Sequence, residues 1–186
     1  MEPVINIIKP LIQENTKILE LGCGTGRLIN ELARRYPKLP KIHAVDFFVD
    51  PRKLEKGITF EKQNLENFKM DGTFDLIIMN QVLEHIKNFY GLLESLKNNL
   101  SKDGTIYIAV PNRFGFNNTA KIYNSADGPH VMLWDKENLE FCLDQMGYKT
   151  KFIHLYEAPT KGGIFKHLPK LLRIQNPNLI CFVQHK

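Results

Sequence analysis

Three glycines spaced two apart, Gly22, Gly24 and Gly26, follow the apolar run Ile18-Leu19-Glu20-Leu21 and lead into Arg27-Leu28. Glycine at such points lets the backbone turn tightly and approach a ligand with no Cβ between them. The third glycine of a dinucleotide fingerprint belongs three positions after the second, where this chain has Arg27, so the spacing is GxGxG and disfavours a nicotinamide or flavin. Asp46 stands twenty residues past Gly26, at the end of the next apolar run, where a carboxylate can accept both hydroxyls of a ribose. Glu20 before the turn and Asp46 after the second run complete a pattern that a purely structural turn does not need.

Those residues require strands to end where they stand. Short β-rich runs at 17–21, 41–46, 58–62, 74–79 and 104–110 alternate with helical stretches at 26–36, 50–56, 87–100 and 135–146, and two further strands fit 149–156 and 178–185. Asp135 suits an N-cap and Gly147 a C′ position for the fourth of these helices. Five βα units and a terminal strand pair predict an α/β fold: a Rossmann-like, doubly wound, mostly parallel seven-stranded sheet with an antiparallel last strand. Its ligand crevice lies outside the carboxyl ends of the strands. The 186 residues suit one domain. No apolar run reaches the ~20 residues that span a bilayer. Glu2 sits where a signal peptide carries basic charge, and three separated cysteines (Cys23, Cys142, Cys181) fit a reducing compartment, so a cytoplasmic location is expected. The net charge of +5 is uneven, since residues 149–186 hold seven Lys/Arg against one acid. With no arginine-rich tract, nucleic acid is not favoured as a partner.

In this order the motifs resemble the class I S-adenosylmethionine-dependent methyltransferases. Glu20 through Gly26 is similar to the family's first motif, and Asp46-Phe47 to its acidic ribose-binding position with an apolar neighbour for the adenine. Phe74 to Asn80 resembles the fourth strand, and Asp103-Gly104-Thr105 the turn into the fifth. Gln81-Val82-Leu83-Glu84-His85-Ile86 resembles the signature of a small-molecule subgroup that includes ubiquinone-pathway O-methyltransferases. The resemblance implies S-adenosylmethionine as cofactor and S-adenosylhomocysteine as product. It implies a cofactor site formed by Glu20, Gly22, Cys23, Gly24, Gly26, Asp46, Phe47, Asn64, Leu65, Asn80 and Gln81. The acceptor is expected to be a small molecule, with O-methylation favoured, by in-line displacement at the sulfonium methyl. A cofactor-binding subunit with little activity of its own and a protein or RNA methyltransferase are the alternatives. Asn80-Gln81 lacks the Pro-Pro-Tyr-type ending of amino-group methylases.

The departures matter too. Asn64-Leu65 stands where the family often has an Asp for the adenine amino group, and Gln81 where metal-assisted members have a Glu, so no metal is expected. Only about fifteen residues precede the first strand, which leaves the cleft open or closed by another chain, a second copy included. Residues 112–130 form a long link read as a substrate lid, with Phe114, Phe116 and Tyr123 as its aromatics. His85 after the fourth strand and His130 after the lid can face the transferred methyl group, with Glu84 beside them, and a neutral imidazole suits a general base near pH 7. His43, His154, His167 and His185 are set aside as structural or lacking an acidic neighbour. Residues 157–177 are a basic insert between the last two strands. Its stretch Lys161 to Arg173 is broken by Pro169 and reads as a cover with no stable membrane insertion.

Overall fold

Seven strands hydrogen-bond into one sheet in the order β3-β2-β1-β4-β5-β7-β6. In this computed structural model, which describes residues 2–39, 41–48, 50–114, 129–153 and 178–186, they are β1 (Lys17–Leu21), β2 (Lys41–Asp46), β3 (Ile58–Lys62), β4 (Phe74–Asn80), β5 (Leu100–Pro111), β6 (Tyr148–Ile153) and β7 (Asn178–His185). The first five run parallel, and β7 is antiparallel to both neighbours. The expected Rossmann-like sheet with an antiparallel last strand is the one observed.

Central parallel strands are covered on both faces and therefore read as unbroken apolar runs. Side chains alternate along β4, so Leu76 and Ile78 pack on one face and Ile77 and Met79 on the other. Two helices, α1 (Glu2–Ile8) and α2 (Arg27–Arg35), cover the first face with Ile5, Ile8, Leu28, Ile29 and Leu32. Across the sheet, α3 (Phe89–Asn99) and α4 (Lys136–Gln145) bring Leu92, Leu93, Leu96, Leu139 and Leu143 against the other. Asp135 and Asn138 form a reciprocal capping box on α4, and Gly147 follows its end at φ 78°.

Three elements differ from the sequence reading. The fifth strand, expected at 104–110, starts at Leu100, so Asp103-Gly104-Thr105 lie within it and are not the turn into it. The helix expected over 50–56 is only a 3-10 turn, Pro51–Lys53. Asp50 Oδ1 takes the Arg52 N–H, and Asn30 of α2 takes the Glu55 N–H and donates to Lys53 O, both at 2.8 Å. Those side chains satisfy the backbone groups that a helix would have paired internally. Helix α1 was not anticipated, since it is seven residues long and its Ile5 and Ile8 give barely one apolar period. The end of the sixth strand beyond Ile153, most of the 112–130 link, the 157–177 insert, and His154 and His167 lie outside the described residues. Among the described residues, no helix is long and apolar enough to cross a membrane.

Candidate functional site

The strand order reverses direction between β1 and β4, and the carboxyl ends of β1, β2, β3 and β4 open there on a cleft of about 1040 Å³. Its walls are Glu20 to Thr25 less Leu21, Arg27 and Leu28, Asp46 to Phe48, Asp50, Lys53, Gln63 to Glu66, Asn80 to Val82, His85 and Ile86.

The glycine turn is built from backbone bonds. Gly22 N–H donates to Val45 O at 2.7 Å, and Gly26 N–H to Cys23 O at 2.9 Å. Gly22 has φ 66° and a Cβ there would lie 2.6 Å from Val82 Cγ2, so the position is closed to any side chain. Gly24, at φ 53°, would meet nothing within 4 Å, and the space left by its missing side chain belongs to the cleft. Gly26 is not on the cleft wall; it is the N-cap of α2, set behind the turn.

Asp46 is held by the same turn. Gly24 N–H donates to its Oδ2 at 2.8 Å and Phe48 N–H to its Oδ1 at 2.7 Å, which orients the carboxylate at the cleft wall. Glu20 is 3% exposed and its Oε2 has no hydrogen-bond partner among the described residues. Burial, reinforced by the charge of Asp46, pushes its carboxyl up to about 8, while a backbone hydrogen bond from Ile29 opposes the shift. Cys23 beside it is no nucleophile, because burial and those two carboxylates push its thiol up to about 12. Phe47 is half-exposed, with Lys62 Nζ 5.6 Å from its ring centre.

After β3, Asn64 caps a 3-10 turn through Oδ1, which takes the Glu66 N–H at 3.0 Å, and Leu65 is buried beneath. Gln63 and Glu66 are among the cleft residues that went unnoticed in the sequence. Gln63 staples its loop by bonding both Lys69 N–H and Lys69 O, at 2.7 and 3.0 Å. Glu66 takes the N–H groups of Lys87 and Asn88 at 2.9 and 2.8 Å, tying the turn after β3 to the start of α3. Its partners are twenty-one and twenty-two residues away, so no local pattern announces them.

At the end of β4, Asn80 is half-buried and Gln81 adopts φ 59°, the one left-handed non-glycine backbone among the described residues. This is a strained conformation of the kind that collects at functional sites. Glu84 and His85 follow on a 3-10 turn, Leu83–His85. Glu84 O accepts the N–H groups of Val131 and Met132 at 2.8 and 3.1 Å, which draws His130 alongside. The His85 and His130 rings lie 4.8 Å apart, edge to face. His85 lines the cleft; Glu84 and His130 are not among its lining residues. Glu84 is 1% exposed, and burial pushes its carboxyl up to about 7. The fold thus gathers the three acceptor-side candidates at one place. His43 instead lies on β2 with its ring 5.4 Å from Phe74, and His185 Nε2 is 3.4 Å from Leu100 O, both away from the cleft.

A family model described as a methyltransferase domain matches residues 3–151. The chain belongs to this family. As a methyltransferase domain it is similar to malonyl-[acyl-carrier protein] O-methyltransferase of Bacillus cereus, 31% identical over 115 residues that cover 58% of this chain and 42% of that protein. It is also similar to the ubiquinone biosynthesis O-methyltransferase of Glaesserella parasuis, 30% identical over 118 residues, 58% of this chain and 48% of the relative. The matched region spans less than half the length of either relative. A solved S-adenosylmethionine-dependent methyltransferase from Archaeoglobus fulgidus shares the fold, with TM-score 0.72 and 17% identity over all of this chain and 92% of that one.

Proposed function

We propose that this methyltransferase domain binds S-adenosylmethionine in the β1–β4 cleft and transfers its methyl group to a small-molecule acceptor, with oxygen as the preferred nucleophile. The observation that carries the reading is the contact between Gly24 N–H and Asp46 Oδ2, which joins the glycine turn and the ribose-type carboxylate into one cleft wall. Asp46 takes the ribose hydroxyls, and Phe47, Asn64 and Leu65 border the adenine. Glu20, a buried carboxylate short of a partner, suits a cationic group of the ligand, either ammonium or sulfonium. Both relatives described above carry O-methyltransferase names, which supports oxygen as the acceptor atom.

The reaction is an in-line displacement. An acceptor lone pair forms the new O–CH3 bond as the C–S bond breaks, and the sulfonium becomes the neutral thioether of S-adenosylhomocysteine. Positioning of the two reactants supplies much of the rate. If the acceptor is a hydroxyl, its proton goes to an imidazole. His85 Nδ1 lies 3.2 Å from Pro129 O, and a carbonyl only accepts, so Nδ1 carries the hydrogen and Nε2 keeps its lone pair. A carboxylate acceptor needs no base, and the histidines then orient it.

Calorimetry with S-adenosylhomocysteine tests the site. Asp46→Ala should weaken binding by about 1.5–3 kcal/mol, the loss of charge-assisted bonds; unchanged affinity would remove Asp46 from it. In the same series His130→Ala should lower turnover by about 10²–10⁴-fold with cofactor affinity intact. A loss shared between kcat and KM would instead mark His130 as a positioning group.

A further inference from the structure

We propose that Glu84, His85 and His130 together bind a divalent first-row transition-metal ion. Each offers one donor atom, and the three atoms lie within 4.8 Å of one another. Bonds of about 2.0–2.2 Å need donors roughly 3–3.5 Å apart, so a side-chain adjustment of about 1 Å closes the triad. The second observation is the carboxylate itself. Glu84 is 1% exposed and, among the described residues, neither of its oxygens has a hydrogen-bond partner. A buried, unpaired carboxylate is costly, and a cation is what repays it.

The surroundings have the form of an outer shell. Metal-binding imidazoles commonly donate their other ring N–H to a backbone carbonyl, which fixes the tautomer. His85 does this toward Pro129 O and so presents Nε2. Backbone bonds from Val131 and Met132 to Glu84 O lock His130 to the turn that carries the other two donors. Two imidazoles and one carboxylate suit zinc, iron, cobalt or manganese better than calcium or magnesium, which take oxygen-rich shells. Gln81 does not complete a carboxylate pair, and its amide lies 3.5 Å from Asn178 Oδ1; the third donor is instead a histidine forty-five residues beyond His85 in the chain.

His85 lies on the cleft wall, so an ion held by the triad would stand at the edge of the cleft. There an acceptor hydroxyl would bind and release its proton to solvent more readily, with His85, its Nε2 lone pair then on the ion, a ligand in place of the base. That use rests on the methyl-transfer reading; the binding of the ion does not.

The test uses the whole chain, stripped with chelator and titrated with Co2+ while visible absorption is recorded, with S-adenosylhomocysteine calorimetry in parallel. One Co2+ per chain, with d–d bands abolished by Zn2+, is expected. Glu84→Gln and His130→Ala should each weaken Co2+ by more than the ~10–100-fold that an outer-shell loss costs, with S-adenosylhomocysteine binding unchanged. Should Glu84→Gln also lose S-adenosylhomocysteine, it has unfolded and His130→Ala decides. Absence of the bands, or Co2+ binding that persists in His130→Ala, overturns the site. Failure of the wild-type protein to bind S-adenosylhomocysteine would strike the cofactor reading and leave the metal result standing.

Discussion

Gly22 and Gly24 share a left-handed backbone and answer to different neighbours. A methyl group at Gly22 runs into Val82, whereas at Gly24 it enters open cleft. Gly22→Ala should therefore lose stability by more than the roughly 1–2 kcal/mol that the left-handed conformation alone costs an alanine, and Gly24→Ala by about that amount only. Cofactor binding should suffer in Gly24→Ala beyond what its stability loss explains, because the new Cβ occupies ligand space. Urea unfolding and S-adenosylhomocysteine calorimetry on both variants separate the effects, and identical profiles would show that the two glycines serve one purpose. Sequence spacing marked both residues as a ligand turn; that one is closed by protein and the other left for ligand depends on Val82, sixty residues on.

At the scale of elements, the junction between β4 and the Leu83–His85 turn is where local preference yields to the site. Gln81 is held at φ 59°, its N–H bonded to Ala109 O at 2.8 Å. Gln81→Gly relieves the strain and should raise unfolding free energy by at most about 1 kcal/mol, read from the urea midpoint, with turnover unchanged or lower. A fall in stability would mean that the side chain contributes more than its backbone costs. The strands were legible because buried parallel strands leave long apolar runs such as Leu76 to Met79. Side chains borrowed from a distant element were not. Asn30 turns an expected helix into a short 3-10 turn, and Glu66 fastens the start of α3. His85 and His130 could be assigned to the same crevice from their strand ends, but their approach to 4.8 Å depends on the Glu84 carbonyl, which no residue type encodes.

Across the whole molecule, two buried carboxylates set the response to pH. Glu20, pushed up to about 8, and Glu84, to about 7, hold protons in the folded chain that the unfolded chain has released above its usual carboxylate range. Stability is therefore greatest below about pH 4.5 with respect to these groups and declines as pH rises through 7 and 8, by up to about 1.4 kcal/mol per pH unit for each. His43, lowered by burial and by Lys41, acts in the opposite sense below 6.5. Thermal midpoints should fall from pH 5 to about 8 and level off above it, and Glu20→Gln should flatten the upper part of the decline; a slope that survives Glu20→Gln and Glu84→Gln together would place its origin elsewhere. A different consequence attaches to the bridge between Asn112 and Trp134, reinforced by Arg113 N–H to Trp134 O at 2.7 Å. It clasps the two ends of the intervening segment, so the chain between them can change length at little cost, since doubling a loop adds only about 0.6 kcal/mol of closure entropy. Evolution, or an engineer, can thus lengthen or exchange what stands between the two clasped ends while the sheet and the glycine turn stay as they are.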